Sequence, residues 1–188
     1  MVALRSLLVL FAALLLGAAT APQVYTLAPT NSEAILKVPF LGLGSKTAGL
    51  PKVAGTIRFD EANPTNIDLK MSIDATALTA GDRVTLNRLK SEKFLWVEKY
   101  PEVTFHGTKL ALSNPTQGTV TGMLSVRGVT REESFAVTFD KPPLTSVGEP
   151  IEAVCTATIN RRNYGMTAFG LIVGKNVKIT LKTRLVPG

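Results

Sequence analysis

The chain has 188 residues, 21 basic and 14 acidic side chains, a formal net charge of +7 and one cysteine. That length suits a single domain that buries most of its unfolded surface without a staple, and a lone cysteine excludes an internal disulfide. The basic residues are spread out rather than gathered in a block and no recognition module accompanies them. This sets nucleic acid aside and leaves a solvated surface with a weak, transient attraction for anionic membranes.

The first stretch stands apart from the rest. Arg5 is followed by LLVLFAALLLGAATA, an apolar run ending in small residues. A basic residue, a short apolar core and an A-x-A-like end predict a secretory signal peptide over residues 1–21, cut after Ala19 or Ala21. Its core from Leu7 to Leu16 falls well short of the ~20 residues that span a bilayer. The expected domain is then residues 22–188, placed in the periplasm or outside the cell.

Alternation of apolar and polar side chains dominates the remainder of the chain, and a period of two sends successive side chains to opposite faces of a strand. Val24 to Leu27 predicts a short first strand. Ala34, Leu36, Val38 and Phe40 share the oily face of a second. Gly42 to Lys52 reads as a loop from its glycines and Pro51. Val53, Gly55, Ile57 and Phe59 line a third oily face, and Asp60 to Pro64 predicts a turn. Ile67, Leu69, Met71 and Ile73 alternate cleanly with polar neighbours. Asp82 to Lys93 is rich in long side chains and predicts a short helix with Asp82 at its N-terminus, where a carboxylate is favoured. FLWVEKYP is an irregular apolar segment ended by Pro101. The next strand runs from Val103 to about Leu112, and its face assignment slips near Gly107, as at a bulge.

Gly118 to Phe139 predicts a hairpin. Val120, Gly122, Leu124 and Val126 face the same way as Phe135, Val137 and Phe139, with Arg127-Gly128 at the reversal. Lys141 to Pro150 is a loop. Ile151, Ala153, Cys155, Ala157 and Ile159 form the next oily face, which makes Cys155 a small buried hydrophobe rather than a reactive thiol. Arg161 to Lys175 is a loop with aromatic content. Val177, Ile179, Leu181 and Leu185 close the chain. About eight or nine strands with one helix imply an antiparallel sandwich or barrel. Periodicity alone separates neither these two nor a filled core from a cavity.

Residues fit for chemistry are sparse. His106 is the only histidine and lies on a wet face, so no metal set and no Ser-His-acid triad forms around it. No serine sits in a G-x-S-x-G elbow, and Gly42-Leu43-Gly44 is too short for a dinucleotide fingerprint. Glu132-Glu133 would face opposite ways on a strand and reads better as a turn or solvated edge. No catalytic residue, no metal and no cofactor is predicted, and the chain is not expected to be an enzyme.

Three stretches carry a resemblance. FLWVEKYPEVTF at Phe94 to Phe105 resembles a signature with K-Y-P and a strand ending in Phe. GMLSVRGVT at Gly122 to Thr130 resembles G-x-L-x-x-R-G-V-T. INRRNYGM at Ile159 to Met166 resembles an R-x-[DN]-[FY]-G-M loop. Their order and spacing resemble the YceI-like family of exported polyisoprenoid-binding proteins over Tyr25 to Leu185. The resemblance implies an all-β, lipocalin-like, extended antiparallel barrel of about eight strands holding an isoprenoid lipid, an isoprenoid quinone or a similar long-chain amphiphile. The sequence departs from the family at Asn31-Ser32, where a His-Ser pair is common. It departs again at Thr85 to Leu89, in place of R-D-x-H-L, and at Asn163, in place of Asp. These changes bear on polar head-group contacts rather than on the barrel.

The expected function is sequestration or transport of that lipid. An enzyme or redox accessory acting on an isoprenoid or quinone, and a ligand-free structural or stress-response barrel, are the alternatives; a homodimer is left open. The candidate cavity wall is Phe40, Ile57, Phe59, Leu69, Met71, Phe94, Phe105, Leu124, Phe135, Val137, Phe139, Tyr164, Phe169 and Ile179. Trp96 is a further candidate at the mouth. Arg161, Arg162 and His106 are candidates to meet a polar head. Gly122, Arg127, Gly128 and Gly165 are expected to fix turns and packing.

Overall fold

A computed structural model describes residues 23–42, 44–60 and 63–188; the expected signal segment lies outside them. Among the described residues, alternating sequence becomes eleven antiparallel strands: β1 (Gln23–Leu27), β2 (Glu33–Phe40), β3 (Gly44–Leu50), β4 (Val53–Phe59), β5 (Asn66–Asp74), β6 (Thr79–Ala80), β7 (Glu102–Asn114), β8 (Gln117–Val126), β9 (Val129–Phe139), β10 (Ile151–Asn160) and β11 (Asn176–Pro187). A helix, α1 (Arg83–Lys90), stands between β6 and β7. The strand order is β1-β4-β5-β7-β8-β9-β10-β11, and β1 pairs back onto β11, so eight strands close a barrel.

The remaining strands β2, β3 and β6 extend three staves of that barrel rather than adding new ones. β1 and β2 run one after the other along β11, with Leu27 opposite Leu185 and Glu33 opposite Lys182. β4 pairs with β1 while β3 pairs with β2, and β5 pairs with β4 while β6 pairs with β3. Each stave is bent where local chemistry interrupts the ladder. Pro51 cannot donate a backbone hydrogen bond between β3 and β4. Asp74 accepts from the Thr76 amide at 2.9 Å and turns the chain between β5 and β6. Between β1 and β2, the buried Ser32 hydroxyl donates to the Ala28 carbonyl at 2.8 Å and shares a 2.6 Å bond with Thr183 Oγ1.

Two sequence expectations are corrected here. Gly42 to Lys52 is not a loop throughout, because Gly44 to Leu50 form β3 and turn Ala48 and Leu50 inward. Its glycines mask a strand whose backbone is satisfied by pairing with β2. Glu132-Glu133 is not a turn either. Both lie in β9, with Glu132 exposed and Glu133 half-buried, facing opposite ways. The helix forms as its end signal requires: Asp82 accepts from the Thr85 amide at 2.7 Å and from its hydroxyl at 2.8 Å. These bonds hold the Asp82 carboxyl at a pKa of about 2.

The β8–β9 hairpin turns on Arg127 and Gly128, with φ of 52° and 74°. Two successive left-handed residues make a type I′ turn, whose twist matches that of the strands it joins. The register between β7 and β8 shifts after Gly107, as the slipping face pattern implied. Gly107 faces Gly122 there, and a Cβ on Gly122 would lie 2.2 Å from the His106 carbonyl oxygen. The close approach of the two backbones requires glycine.

The two ends of the barrel are built differently. At the base, Tyr25 meets Phe59 edge-on at 5.9 Å, packed among Leu27, Ile57, Ile67, Leu110, Val137, Phe139, Ile151 and Leu185. Tyr25 and Ile151 retain no exposed surface. The Lys141 to Pro150 loop closes this end: Pro143 is fully buried and the Tyr25 hydroxyl donates to the Ser146 carbonyl at 3.1 Å. Burying each such large side chain stabilises the fold by about 1.5–3 kcal/mol. The upper end, toward α1 and the Arg161 to Lys175 loop, remains hollow.

Candidate ligand cavity

A cavity of about 190 Å³ occupies the upper barrel and exposes almost only apolar atoms along its wall. Leu69, Met71 and Ile73 of β5, Val103 and Phe105 of β7, and Leu124 and Val126 of β8 supply one side. Ala34 and Leu36 of β2, Ala48 and Leu50 of β3, Cys155 and Ile159 of β10, and Ile179 of β11 supply the other. Small residues, Ala34, Ala48 and Cys155, form part of this wall and fill less of the interior than larger ones would. Leu36, Leu69, Cys155 and Ile179 are only partly buried, although each points into the barrel. The surface they retain faces the cavity. With no polar neighbour to stabilise a thiolate, burial pushes the Cys155 thiol up to about 12.

The mouth is assembled from the three stretches that carry the family resemblance. Arg127, at the hairpin turn, donates from Nη1 to the Gly165 carbonyl and from Nη2 to the Glu92 carbonyl, both at 2.7 Å. One guanidinium thereby joins the β8–β9 turn to the segment after α1 and to the late loop. Trp96 lies edge-on to Tyr100 at 5.8 Å and under Arg127, outside the cavity. Tyr100 packs so closely on Gly128 that a Cβ there would lie 2.7 Å from its ring. The reading of Arg127 and these glycines as turn and packing residues matches this geometry.

Arg161 closes the late loop on itself. It is 2% exposed, and its Nε and Nη2 donate to the carbonyls of Gly174 and Val173, both at 2.9 Å, while Nη1 donates to the Met166 carbonyl. Its guanidinium lies over Phe94 at 5.7 Å. Desolvation, and then the neighbouring Arg162 charge, lower its pKa. Tyr164, also buried, donates to Glu133 Oε1 at 2.8 Å; burial first, then this carboxylate, hold its phenol well above the ordinary range.

Of the wall candidates, Leu69, Met71, Phe94, Phe105, Leu124, Phe135, Tyr164 and Ile179 border the cavity. Ile57, Phe59, Val137 and Phe139 do not, because they sit below it in the packed base. Phe40 lies on the rim, where Lys46 stands 5.5 Å over its ring. Phe169 lies outside the wall, stacked on Phe94 at 6.0 Å. Among the head-group candidates, Arg161 spends its donors on loop carbonyls. His106 lies on the outer face at 3.1 Å from Asp68, and Arg162 is exposed at the mouth. Sequence reasoning missed Ala48, Leu50, Leu89, Met166 and Val173. The usable signal was Ala48 and Leu50 alternating with Thr47 and Gly49, hidden by the flanking glycines and Pro51. No group of three or more His, Cys, Asp or Glu among the described residues is arranged to hold a metal. No helix among them is long and apolar enough to cross a membrane.

The family model of the YceI-like domain matches residues 25–185. The chain belongs to the YceI-like family. A UPF0312 protein of Staphylococcus aureus strain N315 is 30% identical over 143 residues, covering 68% of this chain and 80% of that protein. The crystal structure of BcnA from Burkholderia cenocepacia shares the fold with a TM-score of 0.73 at 18% identity, over 84% of this chain and 98% of that one. A polyisoprenoid binding domain from Saccharophagus degradans, implicated in plant cell wall breakdown, matches with a TM-score of 0.67 at 14% identity, over 87% and 98%. This YceI-like barrel therefore shares its architecture with a protein described as a polyisoprenoid binding domain.

Proposed function

We propose that this YceI-like protein is exported and binds the end of an isoprenoid lipid, or of a similar long-chain amphiphile, in its upper cavity. The observation that carries this reading is the apolar hollow itself. A closed eight-stranded barrel of this size can fill its interior with side chains, as its base does, or leave room for a ligand. An apolar hollow stays dry and takes up apolar matter: an engineered cavity of about 150 Å³ holds benzene. A volume of about 190 Å³ accepts a short stretch of prenyl chain, so a long chain would extend through the portal. Each CH₂ removed from water contributes roughly 0.8 kcal/mol before ordering costs. The wall offers no exposed polar group to fix a head, so selectivity rests on chain shape. The polyisoprenoid-binding description of the Saccharophagus domain supports the same class of ligand.

Native mass spectrometry of protein purified without detergent tests this reading. The expected result is an adduct whose extract contains a prenyl lipid, or uptake of a short prenyl alcohol when one is offered. A homogeneous apo mass with no uptake sinks it in favour of a ligand-free structural barrel. N-terminal sequencing of the exported protein checks the cut after Ala19 or Ala21.

A further inference from the structure

The rim around the portal bears features that the cavity does not use. The β2–β3 tip and the late loop meet there: the Leu41 amide donates to the Ile172 carbonyl at 2.8 Å, and Phe40 pairs with Val173. From these two joined tips Leu41 and Leu171 point into solvent, 57% and 102% exposed. Fully exposed leucine on a loop tip contributes nothing to the fold's core. Leu41 also holds a left-handed φ of 55°, a conformation that bulky side chains seldom adopt.

Basic residues accompany the late loop that carries Leu171. Arg88 and Lys93 stand over the Phe169 ring at 5.1 and 5.5 Å. Arg162 packs beside Gly170, one residue from Leu171, and exposed Lys175 follows in the same loop. None of these four forms an ion pair with a carboxylate among the described residues. Lys46, also at the mouth, is paired with Asp82 at 3.1 Å, and Glu92 adjoins Lys93 in sequence.

We propose that this end of the barrel docks on an anionic lipid bilayer, with Leu41 and Leu171 entering the interface and Arg88, Lys93, Arg162 and Lys175 meeting the phosphates. The inference rests on the carrier reading and extends it, because it brings the portal against the reservoir of its ligand. A prenyl end then passes into the cavity while the remainder of the chain stays in the bilayer, and no apolar surface crosses water. Charge complementarity selects an anionic surface over a neutral one: a basic residue near such a surface strengthens binding roughly fivefold. The attraction is screened by salt.

Vesicle flotation tests it, with isoprenoid-free vesicles so that ligand uptake plays no part. The protein is expected to float with mixed phosphatidylcholine–phosphatidylglycerol vesicles, to float poorly with phosphatidylcholine alone, and to detach at high salt. The Leu41→Asp/Leu171→Asp and Arg162→Glu/Lys175→Glu doubles should each lose at least about tenfold in binding at unchanged Tm. The proposal is overturned by equal flotation on neutral vesicles or by doubles that bind as the parent does. It is also overturned by a dimer that Leu171→Asp turns into monomer, which would assign the rim to a second copy. Flotation and ligand retention separate the two readings. Bound lipid without vesicle docking removes the bilayer and keeps the carrier; docking without ligand uptake does the reverse.

Discussion

The base and the upper half of this barrel share one hydrogen-bonded sheet and one alternating pattern, yet one is solid and the other hollow. At the base, Tyr25 meets Phe59 from the neighbouring strand, Phe139 belongs to the same packed cluster, and the Lys141 to Pro150 loop seals them in. In the upper half, small residues such as Ala34, Ala48 and Cys155 line the hollow. Whether an inward side chain is core or wall is thus decided by what stands across the barrel, not by its own strand. The base is packed solid, and the upper half combines a buried wall with a hollow.

The strongest way to break that division is to hollow the base. Phe59→Ala removes a buried aromatic from a packed site and should destabilise by about 3–5 kcal/mol. Leu36→Ala, whose side chain already borders empty space, should cost clearly less. Urea unfolding of the two variants checks this, and equal losses would mean that the halves are not distinct. The converse change fills the hollow. Ala48→Leu should leave Tm unchanged or raised while prenyl affinity falls about tenfold, the effect of displacing roughly two CH₂ groups of ligand at ~0.8 kcal/mol each. Titration calorimetry with a short prenyl alcohol measures it.

The smallest effect is a pH dependence from Cys155. Its thiol is raised to about 12 by burial, whereas an unfolded cysteine ionises near ~8.5. Between those values the unfolded chain releases a proton that the folded chain retains. The contribution to stability is therefore full below the unfolded pKa and declines as pH rises toward 12. Above about pH 9, parent protein should lose stability with rising pH more steeply than Cys155→Ala does. Parallel slopes in denaturant titrations would show that Cys155 is not held in an apolar surround.

Much of the barrel was legible because its strands alternate cleanly. The hairpin from Gly118 to Phe139, the helix begun by Asp82 and the slip at Gly107 all follow from local chemistry that sequence displays. β3 was not legible, since Gly44, Gly49 and Pro51 carry turn character that pairing with β2 overrides. Nor were the bent staves, which arise from interruptions at Ser32, Pro51 and Asp74 that look like ordinary loop starts. The candidate wall divided along the same line. Leu69, Phe105 and Leu124 border the hollow while Ile57, Phe59 and Val137 do not, and nothing in a period of two distinguishes them. The mouth became intelligible only through long-range contacts, such as Arg127 reaching both Glu92 and Gly165.

The bent staves have a further consequence. Bending β5 into β6 carries the upper sheet away from β7, so β6 ends the strand order with an unpaired side. An open strand edge invites pairing with another chain. Here the edge is two residues long and α1 packs against it, and brevity and cover are both means by which natural sheets discourage such pairing. The helix is in this sense a cover on the seam, laid over the end of an incomplete upper ladder.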